Sequence, residues 1–285
     1  MLVKEYENAR NYLKDHEENL LKNEAASQLV LYEAYLNQSA TDKKLFGVVM
    51  EEGIPLLHFC NITPHNMAVY AQSSGKDVTG PAAVLLADYM ASNRIPFKGI
   101  HAKQEICIPF IEQFKKNVTC TFLEKLSTDI MEIREVNEIK PVEGKHRLAL
   151  PEEVKLVTDW MVDFQLEALA SEINYEKALY KATQFIQENK LYIYEDAEQK
   201  PVSMVVASRQ LANGVALNYV YTPEEFRGMG YAAANVYFLS KKLLEQGNQF
   251  CTLFVDRKNP ISARAYEKIG YHILEDNFEY ILLQT

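Results

Sequence analysis

Apolar positions along this chain change period repeatedly, and the changes divide it into elements. Over residues 2–38, Leu13, Leu20, Leu21 and Leu29 recur in a background of Glu, Lys and Ala. That pattern predicts one long helix or two short ones, broken near Asn23. Two β-rich runs, 46–50 and 56–61, flank Glu51-Glu-Gly-Ile-Pro55 and predict a hairpin, with a third strand over 67–72. Residues 73–81 are rich in Ser, Gly and Pro and read as a loop. A helix with Val84, Leu85, Ala87, Tyr89 and Met90 follows. A strand near 98–101, a helix over 103–115 and strands over 118–126 and 128–136 complete the first half.

Residues 137–144, polar and containing Pro141 and Gly144, form the predicted linker. Beyond it come a short strand at 146–150 and a helix opening at Pro151. Proline suits the first helical position, and Glu152 and Glu153 suit its positive end. Leu156, Trp160 and Phe164 share a face of this helix. A helix at 175–188, a hairpin of 191–195 with 201–209, and a strand at 215–222 follow. In that last strand Leu217, Tyr219 and Tyr221 alternate with Asn218, Val220 and Thr222, and Pro223 ends it. Ala233, Ala234, Tyr237, Phe238 and Leu244 then form a helical stripe, closed at Gly247. A strand at 250–255 leads to a helix capped by Asn259, with Pro260 first and Gly270 last. Strands at 271–274 and 279–283 finish the chain. The order of two helices, three strands, helix, strand, helix and strands thus occurs in both halves. No residue-level repeat accompanies it, so a duplicated domain and an unrelated α+β domain both stand for the first half.

Composition narrows the class. With 285 residues the chain can hold two domains, each with its own core. A net charge of −9 argues against a nucleic-acid partner and favours cationic or neutral ones. No apolar run approaches a membrane span, and residues 1–7 lack a signal peptide's apolar stretch. A cytoplasmic protein without a membrane partner is expected. Cys60, Cys107, Cys120 and Cys251 are scattered and read as reduced thiols; neither they nor the histidines show metal-ligand spacing, so no metal is expected.

The chemistry concentrates between the 217–222 strand and the helix after it, at Arg227-Gly-Met-Gly-Tyr-Ala232. Small residues at 228, 230 and 232 let the backbone approach a ligand closely, and the amides opening a helix point outward unpaired. With the helix dipole they suit a phosphate or pyrophosphate, and Arg227 adds a charged donor fork. There is no Gly-Lys-Ser/Thr for a P-loop, and the turn has one glycine too few for the dinucleotide fingerprint.

This loop, entered from Val220-Tyr-Thr-Pro223, resembles the Arg/Gln-x-x-Gly-x-Gly/Ala pyrophosphate loop of the GNAT superfamily of CoA-dependent N-acetyltransferases. Residues 253–271, with Asn259-Pro-Ile-Ser262 and Tyr266, resemble that family's second motif. The resemblance covers about 145–285. It implies an α+β catalytic domain over 141–285, a GNAT-type mixed, mostly antiparallel sheet flanked by helices. The preceding α+β domain over 1–140 would then be degenerate, GNAT-like and non-catalytic, because 73–81 stands where its ligand loop would be.

The same resemblance implies acetyl-CoA as co-substrate. Arg227, Gly228, Met229, Gly230, Tyr231 and Ala232 would surround its pyrophosphate, and the main chain of Val220, Tyr221 and Thr222 would meet its pantetheine arm. Asn259 serves as helix cap, cofactor contact or both. Tyr266 would protonate the departing thiolate: a phenol of pKa about 10 is still protonated where a thiol of about 8.5 ionises. A backbone N–H, where the 217–222 strand leaves its neighbour, would polarise the thioester carbonyl. Family members often carry a glutamate on this strand, but here it offers Asn218, Tyr219 and Tyr221. The general base is therefore open among Glu195, Asp196, Asp163, Glu167 and a water chain. Arg257, Lys258 and Arg264 are candidates for the 3′-phosphate of CoA, and Trp160, Phe164, Tyr192 and Tyr194 for an acceptor wall. The flavour is similar to the branch that includes glycine N-acyltransferases, with a small-molecule, amino-acid or protein amine as acceptor. The missing glutamate supports the rival reading, an acyl-CoA-binding regulatory protein that has lost catalysis. A homodimer is compatible with either.

Overall fold

The structure, a computed structural model, describes residues 1–39, 45–72, 76–169 and 171–283. Packing divides the chain into two compact units, Met1–Thr128 together with the chain from Glu275 onward, and Asp129–Leu274. The sequence places the division at 140/141. By packing, 129–140 go with the second unit and the C-terminal stretch with the first.

The first unit opens on a strand rather than a helix. β1 (Leu2–Tyr6) pairs antiparallel with β2 (Leu45–Glu51), Leu2 opposite Met50. A partner more than forty residues away overrides the local Glu- and Lys-rich composition. α1 (Ala9–Leu21) begins at Asn8, whose side chain accepts from the Asn11 amide, and α2 (Glu24–Leu36) follows the break at Asn23. β2 and β3 (Ile54–Asn61) form the hairpin, turning at Glu52 and Gly53 with φ of 49° and 82°, as a two-residue primed turn requires. After β4 (Met67–Ala71) the loop expected over 73–81 is mostly helix: α3 (Lys76–Ser92) includes Pro81, and residues 73–75 lie outside the described residues. Burial of Thr79, Ala82, Ala83 and Leu86 outweighs the helical hydrogen bond that Pro81 cannot make.

β5 (Gly99–Ala102) and α4 (Gln104–Asn117) complete the pattern, followed by β6 (Thr121–Ile133), one strand where the sequence suggests two. The sheet of this unit runs β1-β2-β3-β4-β5, then 275–283 of β12 (His272–Leu283) and 121–128 of β6. Alternate side chains serve two cores. Phe46, Val48, Cys60 and Tyr70 pack with α1 and α2, and Val49, Leu57, Phe59, Met67 and Val69 with α3 and α4.

In the second unit, residues 129–133 of β6 lie beside β11 (Phe250–Asp256), and the sheet continues through β10 (Gly214–Tyr221), β9 (Pro201–Gln210), β8 (Leu191–Glu195) and β7 (Lys145–Leu148). β7 to β10 pair antiparallel, and β10 runs parallel to β11. α5 (Val154–Leu169), after a 3₁₀ turn at Pro151–Glu153, and α6 (Tyr175–Gln187) cover one face. α7 (Tyr231–Glu245) and α8 (Pro260–Ile269) cover the other. The expected linker is packed down: the Asn137 amide donates to the Ile269 carbonyl at 2.7 Å, and the Tyr194 hydroxyl to the Val142 carbonyl at 2.7 Å.

Both units follow the same order of strand, two helices, three strands, helix, strand, helix and strand. The molecule is an α+β protein with mostly antiparallel sheets flanked by helices. Among the described residues no helix is long and apolar enough to cross a membrane, and no group of His, Cys, Asp and Glu is placed to hold a metal ion.

Candidate active site

Simple alternation would put Leu217, Tyr219 and Tyr221 of β10 on one face. Instead Val215 and Leu217 pack with the α7–α8 core, Tyr219 and Tyr221 with the α5–α6 core, and Val220 returns to the first. The cause is a β-bulge. Asn218 lies opposite Val206 and Tyr221 opposite Met204, so β10 spends one residue more than β9. Tyr219 takes φ of 51°, a left-handed value that an aromatic residue rarely adopts. Asn218 Oδ1 accepts from the Tyr219 amide at 2.7 Å, and the Tyr219 ring packs 5.1 Å from Phe164 and 5.9 Å from Phe185, which offsets the strain.

β10 also parts from β11. Gly214, Val215 and Ala216 pair with Phe250, Cys251 and Thr252, and the pairing stops there. Past that point β10, the loop after it, α5 and α8 line a cleft of about 600 Å³.

One side of the cleft is the loop. Gly228 and Gly230 have φ of 78° and 91°, so their glycines are required by backbone shape. A Cβ at Gly228 would meet nothing within 4 Å, and one at Gly230 only Val142, at 4.0 Å. No protein atom crowds the Cβ direction of either glycine. Tyr231, Ala232 and Ala233, at the start of α7, line the cleft, and first-turn amides have no acceptor within their own helix. Arg227 Nε donates to the Thr222 carbonyl at 2.9 Å and Nη2 to Glu167 Oε2 at 2.5 Å. The Tyr221 hydroxyl donates to Glu167 Oε1 at 3.2 Å. Burial first, then the neighbouring carboxylates Glu167 and Asp163, pushes the Tyr221 phenol well above its usual range. Ser203 Oγ donates to the Tyr221 carbonyl at 3.1 Å and accepts from Thr222 Oγ1 at 3.0 Å.

The other side is α8. Asn259 Oδ1 caps it, accepting from the Ser262 amide at 3.1 Å. Tyr266 is 7% exposed and lines the cleft with Asn259, Ile261, Ser262 and Ala265. Its hydroxyl has no hydrogen-bond partner among the described residues, and burial pushes the phenol well above 10.

The cleft brings together Val220, Tyr221, Thr222, Arg227, Gly228, Gly230, Tyr231, Ala232, Asn259 and Tyr266. Met229 does not line it; its side chain is 54% exposed. Among the four carboxylates weighed as bases, Glu195 is bound to Arg147 at 2.6 Å, and Asp196 Oδ1 accepts from the amides of Glu198 and Lys200. Glu167 alone of the four lines the cleft. Asp163, one turn earlier, has its carboxyl raised by burial first and then by Glu167 and Asp159. Arg257 is paired with Asp129 at 3.3 Å. Of the aromatic wall candidates only Phe164 reaches the cleft; Trp160, Tyr192 and Tyr194 are buried in the cores. Sequence spacing carries no signal for the meeting of Glu167 with Arg227, sixty positions apart, or for Val142 beneath Gly230.

Known proteins give this architecture a class. The family model described as FR47-like protein matches residues 197–280, from just before β9 into β12. Among solved structures, a GNAT-family acetyltransferase from Colwellia psychrerythraea aligns over 100% of both chains with TM-score 0.55 and 13% identity. A GCN5-related N-acetyltransferase from Sphaerobacter thermophilus aligns over 90% of this chain and 85% of its own, with TM-score 0.55 and 12% identity. One from Kribbella flavida aligns over 81% and 88%, with TM-score 0.50 and 12% identity. No curated protein matches the chain. The chain has the GNAT acetyltransferase fold.

Proposed function

We propose that this protein is an acyl-CoA-dependent N-acetyltransferase acting in the cytoplasm. It moves an acetyl group from acetyl-CoA to a primary amine of a small molecule, amino acid or protein, and its first unit is non-catalytic. One observation carries the reading: a glycine loop with Arg227, an unpaired strand edge and a buried hydroxyl donor converge on one cleft of about 600 Å³.

The residues fit the co-substrate. The Cβ directions of Gly228 and Gly230 are uncrowded, and the loop amides and Arg227 are donors of the kind a diphosphate requires. Arg227 and the amides of 228–232 would hold the pyrophosphate, and the main chain of 220–222 the pantetheine arm, with Asn259 alongside. Acetyl-CoA supplies the acetyl group as an activated thioester. Where β10 no longer pairs with β11, its amides can donate to a carbonyl oxygen. Tyr266 is protonated at neutral pH, so its hydroxyl can donate to the sulfur as the thiolate departs; burial, which raises the phenol, makes it the weaker acid, and the proton lost by the amine replaces any that Tyr266 gives up. An alkylammonium of pKa about 10.4 must lose its proton first. Glu167 accepts from the Tyr221 hydroxyl, and this reading leaves that proton to water in the cleft. The net charge of −9 suits a cationic or neutral acceptor rather than nucleic acid.

A turnover assay tests the reading: acetyl-CoA with a panel of amines, followed by release of free thiol. Glycine belongs in the panel, given the likeness of Val220-Tyr-Thr-Pro223 and Asn259-Pro-Ile-Ser262 to the glycine N-acyltransferase branch. At least one amine class should turn over with formation of its acetamide. CoA binding with no turnover on any amine would instead favour a regulator that has lost catalysis.

A further inference from the structure

Glu167, near the end of α5, has its carboxylate shared between two residues of the cleft. Oε1 accepts from the Tyr221 hydroxyl at 3.2 Å and Oε2 from Arg227 Nη2 at 2.5 Å. Arg227 is tethered on its inner edge as well, Nε to the Thr222 carbonyl at 2.9 Å, and its guanidinium lies 5.7 Å from the centre of the Tyr221 ring. The outer edge of the one arginine in the loop is thus aimed at a carboxylate from a separate helix, beside amides that suit an anion.

We propose that Glu167 is a positioning residue that competes with the diphosphate of CoA for Arg227. The inference rests on the reading that the cleft takes CoA. Side chains of both partners are 45% exposed, so the pair is screened by water and weak enough to exchange. The diphosphate carries more charge than one carboxylate and also draws on the loop amides, so it wins the exchange. The exchange breaks the Arg227–Glu167 hydrogen bond, forms arginine–phosphate bonds in its place, and leaves Glu167 to the Tyr221 hydroxyl and water. Part of the binding free energy of CoA is offset by this step, so removing the carboxylate charge tightens CoA binding.

Calorimetric titration of CoA into the full chain tests this with two variants. Glu167→Gln keeps the size of the side chain and an acceptor for Tyr221 but removes the charge. Asp163→Asn removes the same charge one turn away, where no bond to Arg227 exists. Glu167→Gln is expected to lower the Kd about two- to fivefold, the range of an exposed ion pair, and Asp163→Asn to change it by less than half as much. A purely structural role for Glu167 would loosen binding rather than tighten it. If the wild type binds CoA and Glu167→Gln leaves the Kd unchanged or raises it, or Asp163→Asn lowers it equally, the competition does not exist. A wild type that binds no CoA overturns both this inference and the reading it rests on.

Discussion

On the proposed reading, Tyr266 is the acid of the cleft. The residue belongs to the α7–α8 core and also lines the cleft, and its hydroxyl has no protein partner among the described residues. An acid that donates only as the carbon–sulfur bond breaks contributes to the transition state and little to binding. Tyr266→Phe keeps the ring and removes the donor. The turnover number is expected to fall about 10²–10⁴-fold, with CoA affinity and melting temperature nearly unchanged. Turnover within about threefold of wild type, too small a change in barrier to matter, would make Tyr266 a packing residue and leave thiolate protonation to water.

Elements are held together in the first unit by a polar network that depends on one protonation state. His58 of β3 is fully buried; its Nδ1 bonds the hydroxyl of Tyr12 on α1 at 2.9 Å, and its Nε2 bonds Oε1 of Gln72, just past β4, at 2.7 Å. Gln72 Oε1 can only accept, so Nε2 carries the proton and Nδ1 accepts from Tyr12, which is a neutral imidazole. Burial lowers His58 to about 4, against the hydrogen bond to Gln72, and the His16 ring 5.0 Å away opposes a charge further. The unfolded chain therefore takes up a proton below pH about 6.5 that the folded chain refuses until about 4. The stability from this site is complete above that window and is lost as pH falls through it. Urea unfolding of wild type and His58→Gln should diverge in slope across it, the wild type losing up to about 1.4 kcal/mol per pH unit more. Parallel slopes would contradict this account. Local signals made many elements legible: the Asn23 break, the Glu52–Gly53 turn, the Asn259–Pro260 start and the Gly247 and Gly270 ends each depend on adjacent residues. What stayed hidden depends on distant partners. β1 needs β2, and the face switch at Tyr219 needs the register of β9. The polar interruptions that split β6 and β12 in the sequence lie within continuous strands, where Thr128 Oγ1 donates to the Asn277 carbonyl at 3.0 Å. Ten of the eleven candidate site residues line one cleft because two local motifs carried them; Glu167 joined Arg227 only through the fold.

At the scale of the molecule, two units share one order of elements, yet an Arg-x-x-Gly-x-Gly/Ala loop occurs in the second alone. The fold thus provides two frames and the sequence equips one of them, which makes the number of CoA sites the sharpest consequence of the account. Gly230 is the residue to alter. Its φ of 91° admits a β-branched side chain only with backbone strain of roughly 1–2 kcal/mol, small beside the stability of a domain but enough to reshape the loop. The decisive measurement is a calorimetric titration of CoA into the full chain and into Gly230→Val. The account predicts one site per chain in the wild type and none in the variant, with both folded by circular dichroism; two sites, no site, or undiminished binding in Gly230→Val would contradict it.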